Sequence, residues 1–365
     1  MVVLDLRGHK GLAGTLALGA ILLFFTFFRV SAVEEYSPAF LISGPWGENR
    51  GEFGRGRGID GFEYGPQGFA LDVKGNLYLA DTFNRRIKKY NARGELLAEF
   101  PLQDTIGPRG RLEDIAVGPG GIIYLADNGQ GRILALDPQG KLASTVEIAP
   151  RTVPAGEVWF IDAILAGPHG ILVQDHHIDG QKYTWRLNKL DAYGRPPETL
   201  GLVTLDRGGR LEVAEGSKIP VTAGSLALDG EGNLYVEGAG EEIARRRIRV
   251  YDSRHSLRQE FIHQEENLRR DARLIGVDRG GNIYLGIDLG HPEGGRVRKL
   301  SPRGVPGREI AVPYPGPVRA RVPARVDGRG NLYLIGGDPG GFRLVQYRRL
   351  VRLRVLPRFG GEKKS

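Results

Sequence analysis

Five times the chain restates one phrase: "GNLYLADTFNRRIKKY" at 75–90, "GGIIYLADNGQGRILALD" at 120–137, "GNLYVEGAGEEIARRRIRVYD" at 232–252, "GNIYLGIDLGHPEGGRVRKLS" at 281–301 and "GNLYLIGGDPGGFRLVQY" at 330–347. A worn copy, "HGILVQDHHIDGQKYTWRLNKLD", lies at 169–191. Aligned on Tyr78, Tyr124, Leu172, Tyr235, Tyr284 and Tyr333, successive copies are 46, 48, 63, 49 and 49 residues apart. A period of this size means one supersecondary unit used repeatedly, each copy burying its apolar face on the next. Residues that recur are therefore scaffold first. That assignment covers the five tyrosines, and also Asp81, Asp127 and Asp175 at the corner after the second strand, where a short carboxylate bonds nearby backbone amides.

Ahead of each copy stands a short apolar strand ending in a Gly/Asp turn, as in "GFALDVKG" (68–75) and "SLALDGEG" (225–232). Glycine there accepts positive φ and aspartate bonds its own backbone, which suits a tight hairpin. A further strand follows several copies, as in "ARGELLAEF" (92–100). Four short antiparallel strands per unit make a propeller blade, so six copies predict an all-β, six-bladed β-propeller over residues 38–356. The segment "PAFLISG" (38–44) has no hairpin partner and is expected to supply the outer strand of the last blade; "RRLVRLRVLPRF" (348–359) competes for that place.

Blade 1, "YGPQGFALDVKGNLYLADTFNRRIKKYNARGELLAEF" (64–100), resembles an NHL repeat in its Pro-entered inner strand, G-N-hydrophobic-Y core, A-D-x-x-N corner and R-I-x-x-Y strand. The Gly-studded lead-in at 44–66 resembles that family too. Blade 3 departs from the pattern, with Leu172 for Tyr and Gln174-Asp175-His176-His177 at the corner. The resemblance implies a six-bladed ring and leaves the activity open, because propellers host many unrelated functions.

Residues 11–28, "GLAGTLALGAILLFFTFF", are uncharged and mostly apolar, flanked by Arg7, Lys10 and Arg29. The stretch is at the lower limit for a membrane span and long for a signal-peptide core. Residues 1–32 thus read as a stub plus a single N-terminal transmembrane or signal helix, and 357–365 as a flexible basic tail. The expected location is the cell membrane, single-pass, with the propeller on the extracytoplasmic side, or secretion if the segment is cleaved. No cytoplasmic signalling domain is expected ahead of it. Cysteine is absent, which excludes disulfides and thiolate metal sites and favours a bacterial cell envelope. Net charge is +8, yet the densest basic run, "ARRRIRVY" (244–251), alternates like a half-wet strand and carries no stacking platform, so no nucleic acid is expected.

In a propeller the residues entering each inner strand and the corner after each second strand gather at one mouth of the channel. Glu113, Asp114 and Asp162 fall there, with Asp114 and Asp162 read as equivalent. Arg111 stands beside them, and Arg273 and Arg321 lie across the ring. These six are the candidate ligand-binding residues. Acids so placed bind a cation such as calcium, recognise a ligand, or pair with the arginines. His176 and His177, with Asp175, are weaker metal candidates on an exposed loop, since a zinc site needs further protein ligands; His291 lies in the corresponding loop of blade 5.

No catalytic residue stands out. Gluconolactonase-like enzymes carry a metal-binding Glu directly before Gly-Pro, whereas Glu63-Tyr64-Gly65-Pro66 displaces it by one. Hydroxyglycine lyases of the NHL class need channel histidines, which the strand entries here lack. The expectation is a tethered, monomeric binding module for a protein or an envelope polysaccharide, without a cofactor. The alternative is a metal-dependent lactonase- or lyase-like enzyme with its site in the central channel.

Overall fold

The computed structural model describes residues 28–357 apart from 59, 151, 192–197, 209, 222–223, 240–244, 265–271, 290–294 and 314–315. The apolar stretch 11–28, except its last residue, and His291 therefore lie outside the described residues. No helix among the described residues is long and apolar enough to cross a membrane.

Six antiparallel sheets follow one another, one per repeat, and each inner strand touches the next. Blade 1 is Gly68–Leu71, Leu77–Asp81, Arg86–Tyr90 and Leu96–Pro101; blade 2 is Leu112–Val117, Ile123–Asp127, Arg132–Leu136 and Leu142–Glu147. Blade 3 has Val158–Gly167, Gly170–Ile178, Tyr183–Leu190 and Glu198–Leu205, plus a fifth strand, Leu211–Val213. Blade 4 is Leu226–Leu228, Leu234–Ala239, Arg245–Tyr251 and Leu257–Gln264; blade 5 is Ala272–Val277, Ile283–Ile287, Gly295–Leu300 and Pro306–Val312. Blade 6 takes Ala324–Val326, Leu332–Asp338 and Gly341–Pro357 from the end of the chain and its outer strand, Phe28–Gly44, from the beginning. The chain is an all-β six-bladed propeller closed by its N-terminal strand. The charged run at 245–251 is the third strand of blade 4: Ile248 and Val250 are buried while Arg247 and Arg249 pair with Glu260.

The repeat has a physical reason. In the inner hairpin turn, Asp72, Asp229, Asp278 and Asp327 each accept from the amides two and four residues on and from the Asn side chain four on, at 2.7–3.0 Å. The intervening Gly75, Gly232, Gly281 and Gly330 sit at φ 82°, 84°, 73° and 80°, a region that glycine enters without the Cβ penalty. Tyr284 and Tyr333 donate their hydroxyls to the same carboxylates at 3.0 and 3.1 Å. These two buried tyrosines thus satisfy their one polar atom; Tyr78, Tyr124, Tyr235, Tyr284 and Tyr333 are all buried. The corner carboxylates are satisfied as well. Asp81 accepts from Gly54 N, Asn84 and Arg86, and Asp127 from Arg111 N, Gln130 and Arg132.

The propeller's compact unit is Pro38–Arg348. Outside it, 28–37 and 349–357 belong to a second unit, in which Glu34 and Glu35 pair with Arg349 and Arg352.

Candidate functional site

The channel is lined mostly by small and branched apolar residues, such as Ala70, Ala116, Ala166, Ala227, Val277 and Val326, one from each blade. Arg325 is the charged residue of that lining. Its guanidinium leaves blade 6, donates to Phe69 O of blade 1 and reaches Asp114 of blade 2 at 2.7 Å. Asp114 is 1% exposed and also accepts from Ile115 N at 2.8 Å and Ile164 N at 3.0 Å. Four blades thus meet through one ion pair in the channel.

The mouth above it is shaped by two bulges. In blade 2, Leu112 faces Asp127 and Asp114 faces Ala126, so Glu113 is the extra residue. In blade 3, Ile161 faces Asp175 and Ala163 faces Gln174, so Asp162 is the extra residue. A bulge turns a side chain off the strand's alternation. Glu113 and Asp162 are therefore the equivalent pair, which corrects the equivalence of Asp114 with Asp162 expected from spacing. Asp114 lies one step further in, aimed at Arg325.

Glu113, 2% exposed, is a hub. It pairs with Arg111 and Arg321 and accepts from Asn128 Nδ2 at 2.9 Å. Arg321 crosses from blade 6, donates to Ile161 O at 3.0 Å and Asp162 O at 3.2 Å, and stands 4.0 Å from the centre of the Phe160 ring. Of the predicted cluster the structure gathers Arg111, Glu113, Asp162 and Arg321, with Asp114 beneath. Arg273 is exposed on blade 5 and is not among the partners of these acids. Its place in the charge balance is taken by Arg325, which spacing alone did not single out because it lies within the inner strand.

Blade 3 departs most from its siblings. Its first two strands run 10 and 9 residues, against 4 and 5 in blade 1. The added pairs, 158–161 with 175–178, carry His176 and His177, which lie in a strand rather than on the expected loop. Neighbouring strand residues face opposite ways, so the two imidazoles diverge. His176 Nδ1 donates to both oxygens of Asp162, at 2.8 and 3.0 Å, and its ring is 5.6 Å from that of Phe160. Among the described residues its Nε2 meets no hydrogen-bonding group. His177 bonds Glu157 at 2.7 Å and stacks on Trp159 at 4.3 Å. Asp175 turns away from His176, holding Arg186 at 2.6 Å and Asn188 at 2.7 Å; burial pushes its carboxyl up to about 6, against the pull of Arg186.

The donor set does not fit a divalent cation. Asp175, His176 and His177 cannot converge, and among the described residues no group of three or more His, Asp or Glu side chains is placed to hold a metal. Glu113 and Asp114 are already neutralised by guanidinium groups, so an ion would have to displace them. Glu63 is over half exposed and 3.8 Å from Arg55. The chemistry left at the mouth is that of a histidine oriented by a carboxylate.

No family model matches the chain, and no curated protein matches its sequence. In fold it is similar to a streptogramin B lyase (13% identity, covering 89% of this chain and 99% of that one, TM-score 0.46) and to virginiamycin B lyase from Staphylococcus aureus (11%, 87% and 99%, TM-score 0.46). It is likewise similar to a gluconolactonase from Xanthomonas campestris (15%, 89% and 95%, TM-score 0.46). These solved propellers are named as enzymes, which runs against the expectation of a binding module. At such identities the likeness extends to the fold alone, an all-β ring of six blades.

Proposed function

We propose that the chain is an enzyme that opens a cyclic ester at the channel mouth, with His176 as the general base. The observation that carries this is the His176–Asp162 pair. Asp162 fixes Nδ1 as the protonated nitrogen, so the neutral ring offers the Nε2 lone pair outward. In hydrolysis, Nε2 takes a proton from water as its oxygen adds to the ester carbonyl. The tetrahedral adduct then expels the ring alkoxide, which recovers that proton from Nε2. In elimination, Nε2 takes the proton from the carbon next to the one bearing the ester oxygen. A carbon–carbon double bond forms there, and the C–O electron pair leaves with the carboxylate. Either course uses the same base, and Phe160 beside it supplies an apolar wall. No step is routed through a metal. The repeat at 64–100 supports an NHL-type ancestry for the scaffold.

The test is turnover of gluconolactone, a panel of γ- and δ-lactones and a streptogramin B. We expect His176→Gln to lower turnover by about 10²–10⁴-fold while melting like the parent. A product heavier by one water marks hydrolysis; an unchanged mass marks elimination. If none of these esters is opened, or if His176→Gln opens them as fast as the parent, the reading is wrong.

A further inference from the structure

Resting on that reading of His176, we infer that Arg321 is a positioning residue, sent across the channel from blade 6 to hold the blade 3 bulge that aims Asp162 at the imidazole.

The bulge has a cost that the arrangement meets. Between Ile161 and Ala163 the ladder skips Asp162, which leaves polar backbone groups that must find other partners. Asn128, from the corner of blade 2, takes both groups of Ile161: its Oδ1 accepts from Ile161 N at 2.7 Å and its Nδ2 donates to Ile161 O at 3.1 Å. One Nη2 of Arg321 then donates to Ile161 O and to Asp162 O, and lies 3.5 Å from Asp162 Oδ1. Both holders are fixed in turn by Glu113, which accepts from Asn128 and from Arg321 Nη1. The bulged acid of blade 2 thus anchors the two groups that shape the bulged acid of blade 3.

The contact with Phe160 makes Arg321 more than a backbone clamp. Its guanidinium covers the Phe160 ring at 4.0 Å, and that ring neighbours His176. Arg321 therefore touches what fixes His176 on two sides: the bulge that presents Asp162, and the aromatic residue beside the imidazole. The planar five-donor fork is needed for this. A lysine at 321 keeps one charge but cannot serve Glu113, two carbonyls and a ring face together.

The experiment uses the protein with its histidine rings labelled with nitrogen-15, comparing the parent with Arg321→Lys and Asn128→Ala. In the parent, His176 should show protonated Nδ1 and unprotonated Nε2 when the ring is neutral. Both variants should lose this single tautomer for a mixture, and turnover should fall about 10- to 100-fold, the size of effect that a misplacement of about 1 Å produces. If Arg321→Lys fails to fold, Arg321→Gln takes its place. A folded Arg321 variant whose His176 spectrum matches the parent's overturns the positioning role, whatever its turnover. Full turnover by His176→Gln instead removes the base, and leaves the tautomer measurement to decide the bulge geometry alone.

Discussion

Replacing Arg325 with Met isolates the ion pair inside the channel. The substitution roughly keeps side-chain length and removes the fork that holds Asp114 at 2.7 Å and donates to Phe69 O. Asp114 is 2% exposed at its side chain and Arg325 21%, so the carboxylate would stay buried while its countercharge is lost. Breaking a buried pair typically costs about 3–5 kcal/mol. Here Asp114 keeps two amide donors, from Ile115 and Ile164. The loss is therefore closer to one charge-assisted bond, about 2–3 kcal/mol. For the unit Pro38–Arg348, an unfolding entropy of about 2.1 cal/mol/K per residue turns that into about 3–5 °C of melting temperature. The assay is thermal and urea unfolding of the parent, Arg325→Met, Asp114→Asn and the double variant. The two single losses should exceed that of the double by about 1.5–2 kcal/mol, since partners in direct contact are not additive. A single variant that unfolds with the parent, or a cycle that closes to within about 0.5 kcal/mol, would refute the claim that this pair ties the blades together.

Two further outcomes follow from the fold. Ile42 is buried against the closing blade while Phe40 is 70% exposed, so Ile42→Ala should cost about 2–4 kcal/mol and Phe40→Ala almost nothing; equal losses by urea unfolding would contradict closure by this strand. Burial raises Asp175 from 3.8 to about 6, so the folded state holds this proton more tightly than the unfolded chain. Its contribution is therefore full below about pH 4 and is lost as pH rises from there through 6, by at most about 3 kcal/mol. The parent should lose stability relative to Asp175→Asn over that window, and parallel curves would show that the group does not titrate there.

Much of the ring was legible because its signals are local. The Asp-x-x-Gly-Asn turns and their tyrosines carry their own hydrogen bonds, and each is written within a few residues of sequence. The closing strand 38–44 was legible for the opposite reason, an apolar strand with no partner nearby. The site was less so. A bulge leaves no mark on spacing, so Glu113 and Asp114 exchanged roles, and Asp162 gained its histidine only through that extra residue. The blade 3 insert reads as a loop because Gln174-Asp175-His176-His177 occupies the corner position of the repeat, yet His176 and His177 pair with Phe160 and Trp159 in a lengthened ladder. Arg325 looked like a strand residue and became a brace because inner strands face the channel. The one available hint was an arginine in a triplet, Ala324–Val326, that is otherwise apolar.

The closing strand also sets an order of events. Residues 38–44 leave the ribosome early, and the strand they pair with, Gly341–Pro357, begins about 300 residues later. At about 5–20 residues per second, the segment waits roughly 15–60 s with its edge unpaired. By the end of that interval the residues of blades 1–5 have emerged while the ring is still open, and the unpaired strand of one growing chain matches the gap on another. The molecule is thus most exposed to pairing between chains just before it is finished. Conditions that slow the last part of synthesis should shift the yield from single rings toward chains that have exchanged their first strands.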